Sequence, residues 1–522
     1  MSTAIPYSFD PQLLLPGQLA PIPPRSDRQW LYAIGCVGAL LLAGVVFSFA
    51  TARTLWEVTF SYRVTYMYVA LAIPAIFILG YGKFPLAAAI FYGFLPVAQN
   101  AHQHHWIIGD IEAALTYEEV LAVPLLIMGL IGPNGRRAGQ GRPLPDGVVF
   151  LLGAILVSAL MSTVLALDPG IAAATLVSRY VLPIAVGLVC VRRLRNIQDY
   201  KTIWFGLATG LVSIGVFQFR RGVLGEVQFH LQVQQRFLGL TQVDAIPMLY
   251  VIGGALWLSV AQVRKGLSLT AILWFALTGG FVVLLWLGAT RGPLLLFCVM
   301  FAWWLPTFVR QMHRPGTILL GLFGGIGAVF LARYSFERTN LSIDLMIERL
   351  DELRTAGVSG HNRAAIWRTA MEYWKTSPLF GIGPNNWVTF NTGFESPHSL
   401  IYGMLCDTGA LGLAIFVAFV YAVLRASRRI LPTLEDPEEL AYFLGSRAGW
   451  VIMLLTLVTN LPLTSGQPRN AIFAYVAYLF PVLLLITYAR HAPASPRGTT
   501  PVFPLPARPA VRPLSPGPPP AS

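Results

Sequence analysis

The side chains best suited to chemistry gather in one stretch of an otherwise apolar chain, from Gly360 to Gly412. It reads GHNRAAIWRTAMEYWKTSPLFGIGPNNWVTFNTGFESPHSLIYGMLCDTGALG and carries Arg363, Trp367, His398 and Asp407. His398 follows Pro397 and opens a long apolar run, which places it at the first turn of a hydrophobic helix. A helix N-terminus and nearby arginines disfavour imidazolium, so the neutral, proton-accepting ring is favoured, as a general base requires. A histidine that only sits at its helix end is the competing reading. Arg363 stands one turn before Trp367, within reach of its indole. Both lie on a helix expected to be capped by Asn362 and to stop before Pro378, with Ile366, Trp367, Ala370 and Trp374 on its apolar face. Further arginines flank predicted spans: Arg236 a few residues before one, Arg291 between two and just ahead of a Gly-Pro turn. Forked guanidiniums suit a diphosphate through paired charge-assisted hydrogen bonds that lysine does not reproduce. The alternative is interfacial arginines that pair with lipid phosphates or with Glu226 and Glu337. Asp407 lies further along the helix of His398, where it either belongs to this chemistry or pairs structurally with a buried residue such as Arg179.

Other chemistries find little support. His102, His104 and His105, in AHQHHW, are metal-type ligands without an acidic or cysteine set at a recognised spacing, and read as interfacial. No Gly-rich nucleotide cradle follows a strand, and no paired-carboxylate or Ser-His-Asp set is indicated, so nucleotide sugars are not the expected donors. Cys36, Cys190, Cys298 and Cys406 all lie in apolar runs, which argues against a disulfide framework.

The elements that must position these groups are membrane helices. The 522 residues are 55% hydrophobic and only 12% charged, with a mean hydropathy of +0.62, far too apolar for a soluble protein of this size. The expected fold is all-α and polytopic, with about 12 to 14 transmembrane helices and one large structured periplasmic loop. Prolines break residues 1–29, so this lead stays outside the bilayer and is not a secretory signal. Spans fill 30–334 and 398–490. The loop 335–397 is too long for a plain connector; it carries an amphipathic helix with Ile343, Met346, Ile347, Leu350 and Leu353 on one face, and then the Arg363 helix. Residues 491–522, rich in Pro and Ala, form a disordered tail. The formal charge of +13 suggests nucleic acid at first sight. In a membrane chain it reflects basic cytoplasmic loops, among them Arg136 and Arg137, Arg192, Arg193 and Arg195, and Arg425, Arg428 and Arg429, so nucleic acid is not an expected partner. With those loops inside, both termini are cytoplasmic, and the loops bearing Arg236, Arg291, Arg363 and His398 face outward.

The order of an Arg/Trp helix, SPLFGIGPNNW and PHSLIYGMLCDTGALG, with RFLG from Arg236 and TRG from Thr290 upstream, resembles the bacterial O-antigen ligase and polymerase superfamily of membrane glycosyltransferases. The resemblance runs over residues 200–430 and departs from many relatives at Ser399, where they carry asparagine. It implies transfer of a glycan from an undecaprenyl-diphosphate carrier to an acceptor hydroxyl, of a growing glycan or of lipid A core, at the periplasmic face of the inner membrane. His398 would take the acceptor proton; Arg291 and Arg363, with Arg236, would hold the diphosphate; Trp367 and Asp407 would support them. Inversion at the anomeric carbon and no metal or other cofactor are expected, because arginines stabilise the departing diphosphate. A polymerase is slightly favoured over a ligase, since no second strongly basic outer surface is evident for a phosphorylated core. A transporter or flippase of lipid-linked glycans is the rival class, against which stand the poised histidine and the absence of convincing internal repeats.

Overall fold

The computed structural model describes residues 29–51, 62–99, 106–108, 111–113, 117–132, 145–223, 242–264, 269–287, 291–309, 318, 361–390, 396–460 and 471–491. The Pro-rich lead up to 28, His102 to His105, Arg236, all but residue 318 of the span expected at 316–334, the amphipathic helix around Ile343 to Leu353 and the tail from 492 lie outside the described residues.

Sixteen helices are described: α1 (Gln29–Thr51), α2 (Tyr62–Gly82), α3 (Phe84–Gln99), α4 (Tyr117–Ile131), α5 (Asp146–Val164), α6 (Pro169–Thr175), α7 (Leu182–Arg193), α8 (Ile197–Val223), α9 (Gln242–Arg264), α10 (Leu269–Leu287), α11 (Arg291–Val309), α12 (His361–Thr376), α13 (Leu400–Ile430), α14 (Pro437–Asn460), α15 (Ala471–Ala477) and α16 (Leu479–His491). Two three-residue strands, β1 (Trp106–Ile108) and β2 (Ile111–Ala113), pair antiparallel, with Ile107 opposite Glu112. Trp106, Ile107, Ile108 and Ile111 are residue types that favour strands; apart from this short hairpin the described elements are helical, as expected for the fold class.

Among the described residues, five segments are long and apolar enough to cross a membrane: Gly147–Val164, Pro169–Arg193, Leu400–Thr433, Pro437–Val458 and Ile472–Ala489. Five shorter apolar helical segments lie elsewhere, from Trp30–Ala43 to Leu295–Pro306. The outward faces remain apolar, as on α5, where Phe150, Val157, Leu160 and Val164 are exposed; a surface of this kind belongs in lipid. The chain is a multi-pass membrane protein. One boundary differs clearly from expectation: the span expected at 449–463 starts at Pro437, because Asp436 and the acidic first turn of α14 begin a helix whose early face, with Tyr442 and Phe443, is already buried.

Small residues set the tightest helix pairs. A Cβ on Gly206 or Gly210 of α8 would run into the Ala89 or Gly93 carbonyl of α3, and one on Gly253 of α9 would lie 2.6 Å from the Gly445 carbonyl of α14. Such backbone approach gains van der Waals contact where lipid offers no hydrophobic drive. At one end of the bundle the Arg193 guanidinium donates to the carbonyls of Gly80 and Tyr81, each at 2.9 Å, and so caps α2. Lys201 meets Glu438 at 2.7 Å and ties α8 to α14.

Between α6 and α7 the span widens into a π-helical turn, Leu176–Val181. Pro183 lacks an N–H and its ring would press on the carbonyl four residues back, at Arg179, so the ladder slips there. Arg179 is buried in this turn, and it shares Tyr475 as an electrostatic neighbour with Glu118 and Glu119 of α4.

Candidate active site

Three pieces meet around the Gly360–Gly412 stretch: α12, the loop 377–390, and the start of α13. The helix α12 begins at His361, two residues before the expected start, so Asn362 lies within it and is not its cap. It ends at Thr376, ahead of Pro378 as expected. Its inner face, Ile366 and Ala370, packs with Ile382, Trp387 and Cys406 into a small core of its own, flanked by Trp367, Tyr373, Phe390 and Tyr402.

The loop is bound into a break in α13. At Gly409 the backbone leaves the helix, with φ 69° and ψ −170°. In an unbroken helix the Ala410 N–H would bond to the Cys406 carbonyl. Here the loop completes each half separately: Ile382 N–H donates to the Cys406 carbonyl at 2.7 Å, and Ala410 N–H donates to the Pro378 carbonyl at 2.9 Å. Likewise Leu411 N–H turns to the Leu379 carbonyl at 3.2 Å, which frees the Asp407 carbonyl to accept the hydroxyl of Ser162 from α5. The exchange keeps these buried backbone groups bonded, which is why an opened helix is tolerated. Glycine is required on both sides: a Cβ on Gly409 would strike the Leu379 backbone, and one on Gly381, at φ 76°, would strike the Cys406 carbonyl.

Asp407 is buried, and its carboxylate accepts the Asn385 N–H at 3.0 Å. That contact holds Asn385 in a left-handed conformation, φ 59°, one that asparagine tolerates better than most residues. This bond directs the Asp407 carboxylate at the loop. The next residue, Asn386, is fully buried. Its side-chain carbonyl accepts the Asp168 N–H at 2.6 Å and its amide donates to the Asp168 carbonyl at 3.2 Å, while Leu167 N–H donates to the Ile382 carbonyl at 3.2 Å. Asp168 in turn caps α6 by accepting from Gly170 and Ile171 N–H. The corner between α5 and α6 is thus fastened to the loop.

His398 is half-buried and precedes the N-cap Ser399, so it lies just outside α13 and not in its first turn. Its backbone is left-handed, φ 49°, an uncommon state for a side chain of this size and one that surrounding contacts must hold. They are present. The Trp367 indole donates to the Pro397 carbonyl at 3.1 Å, and its ring stacks on Tyr402 with centroids 5.2 Å apart at 19°. On the other side Ser399, with its own backbone extended, donates its hydroxyl to the Val458 carbonyl of α14 at 2.7 Å and does not cap its helix. Trp367 therefore joins the helix bearing Arg363 to the turn bearing His398. Arg363, one turn earlier on α12, is half-buried. Arg291 is the first residue of α11, with only its backbone described, and Arg236 lies outside the described residues.

Sequence reasoning missed Ser162, Asp168 and Asn386. The Asp-Pro pair at 168–169 is a readable helix start, but nothing local says that its backbone meets a loop 218 residues away.

Residues 267–417 match the model of the O-antigen ligase family. The match takes in Arg291, Arg363, Trp367, His398 and Asp407, and leaves Arg236, Ser162 and Asp168 outside. No curated protein matches the chain. The segment that carries most of this site is thus similar to the O-antigen ligase family.

Proposed function

We propose that the protein transfers a glycan from an undecaprenyl-diphosphate carrier to an acceptor hydroxyl during surface polysaccharide assembly, at the outer face of the inner membrane. The observation that carries this reading is His398, held left-handed between Trp367 and Ser399 and linked through Trp367 to the helix of Arg363. A strained backbone at a titratable side chain, inside a family-matched segment, favours a functional explanation. In the reaction the acceptor oxygen bonds to the anomeric carbon as the bond from that carbon to the phosphate oxygen breaks. The electron pair leaves with the diphosphate, where Arg363 and Arg291, with Arg236, balance its charge. The acceptor proton passes to the His398 ring. A single displacement of this kind inverts the anomeric carbon and draws its charge stabilisation from guanidinium groups, not from a metal.

Deleting the gene and sizing the surface glycan tests the reading and separates its two forms. Loss of long chains with single repeats still attached identifies a polymerase. Full-length chains that accumulate on the carrier lipid identify a ligase. A surface glycan of unchanged length and amount contradicts both.

A further inference from the structure

We infer that Asn386, clasped to the backbone of Asp168, is a positioning residue that fixes the α12 helix relative to His398, so that the corner between α5 and α6 supplies part of the site's framework. This rests on the reading of Arg363 and His398 as the groups that meet the donor and the acceptor. The loop 377–390 is a wedge with α12 on one side and the opened start of α13 on the other. Asn385 grips α13 through the Asp407 carboxylate at 3.0 Å, and Trp387 packs beneath α12 against Ile366 and Ala370. Between them, Asn386 fastens the wedge to a third element through two hydrogen bonds to one residue, 2.6 and 3.2 Å long. Ser162, on the last turns of α5, reaches the same opened helix at the Asp407 carbonyl. The Asn386 side chain is fully buried, so water does not replace the clasp when it is lost. Three consecutive residues thus reach three different elements, and the central one reaches outside the segment that matches the family. Without it the bond from the Leu167 N–H to the Ile382 carbonyl still joins the corner to the wedge, but the wedge that spaces α12 from the start of α13 is held less firmly. Arg363 would still hold the donor while its alignment with His398 spreads.

The test uses the full-length protein in nanodiscs, with Cys36 and Cys298 replaced by alanine and spin labels on cysteines introduced at Arg368 of α12 and at Leu165 beside the corner, both exposed positions. Asn386→Leu removes both hydrogen bonds to Asp168, and the longer one to the Pro384 carbonyl, at similar volume, and Asn386→Asp keeps the acceptor for the Asp168 N–H. We expect one narrow label-to-label distance while Asn386 is intact, a broad distribution in Asn386→Leu and an intermediate one in Asn386→Asp. In transfer of a lipid-linked glycan, Asn386→Leu should lower kcat about 10- to 100-fold with the donor KM nearly unchanged, as misalignment without loss of binding does. An unchanged distance distribution in Asn386→Leu overturns the inference. So does a variant whose donor binding, melting temperature and kcat fall together, since that marks a merely structural residue. Should the parent protein turn over no lipid-linked glycan, the functional reading fails, while the distance measurement still decides the positioning role.

Discussion

At the scale of single residues, the site divides into groups for which chemistry is proposed and groups that hold them. His398→Ala should slow transfer by about 10²–10⁴-fold, the usual contribution of a general base, while donor binding persists. Arg363→Lys and Arg291→Lys keep a positive charge and lose the fork, so each is expected to lower kcat/KM at least about tenfold while the protein still inserts. Steady-state kinetics on protein recovered from membranes checks both, and a lysine variant at the parent rate would exclude bidentate recognition at that position. Gly409→Ala forces a Cβ into the left-handed region against the Leu379 backbone, at a cost of about 1–3 kcal/mol from strain alone and more from the clash. It should lower the melting temperature, whereas Gly279→Ala, where a Cβ meets open space, should not. The readings of His398, Arg363 and the turn glycines rest on local signals: a histidine before an apolar run, an arginine one turn from a tryptophan, glycines beside proline. The holding groups give no such signal. Ser162 meets Asp407 across 245 residues and Asp168 meets Asn386 across 218, and neither serine nor aspartate at a helix end advertises so distant a partner.

At the scale of elements, hydropathy located most helices, since an apolar run of span length has few alternatives in a chain of this composition. Their interruptions were harder to read. The apolar run of α13 shows no sign that its ladder opens at Gly409; the opening is stable because the loop from Pro378 to Ile382 supplies the missing partners, and that pairing becomes visible only when both segments are in place. The same holds for the π-helical turn ahead of Pro183, which a proline hints at but does not specify. The order of basic loops predicts that the α12 helix and His398 lie on the non-cytoplasmic side. Cysteine introduced at exposed Arg368 or Glu372 should therefore react with an impermeant reagent added outside intact spheroplasts, while one at exposed Arg429 should react only after the membrane is opened. Reaction at 368 only from the cytoplasmic side would sink the mechanism, because the lipid-linked donor and its acceptor would then lie across the membrane from the base.

At the scale of the whole molecule, helix pairs such as α3 with α8 and α9 with α14 pack at close backbone approach, and the loop 377–390 of the family-matched segment is fastened to the corner between α5 and α6. That arrangement suits a reaction whose donor is a membrane lipid: the bundle would hold the carrier's plane fixed, and the loop would align base and leaving group above it. The most direct test is transfer by the purified full-length protein in nanodiscs, with an undecaprenyl-diphosphate-linked glycan as donor and a second copy or a lipid A core as acceptor. The account predicts a lengthened or newly attached glycan with stoichiometric release of undecaprenyl diphosphate, and a His398→Ala variant that binds the donor but forms product about 10²–10⁴-fold more slowly. Product formed by His398→Ala at the parent rate, or a parent protein that moves the lipid-linked glycan across a vesicle membrane without forming any glycosidic bond, would contradict it.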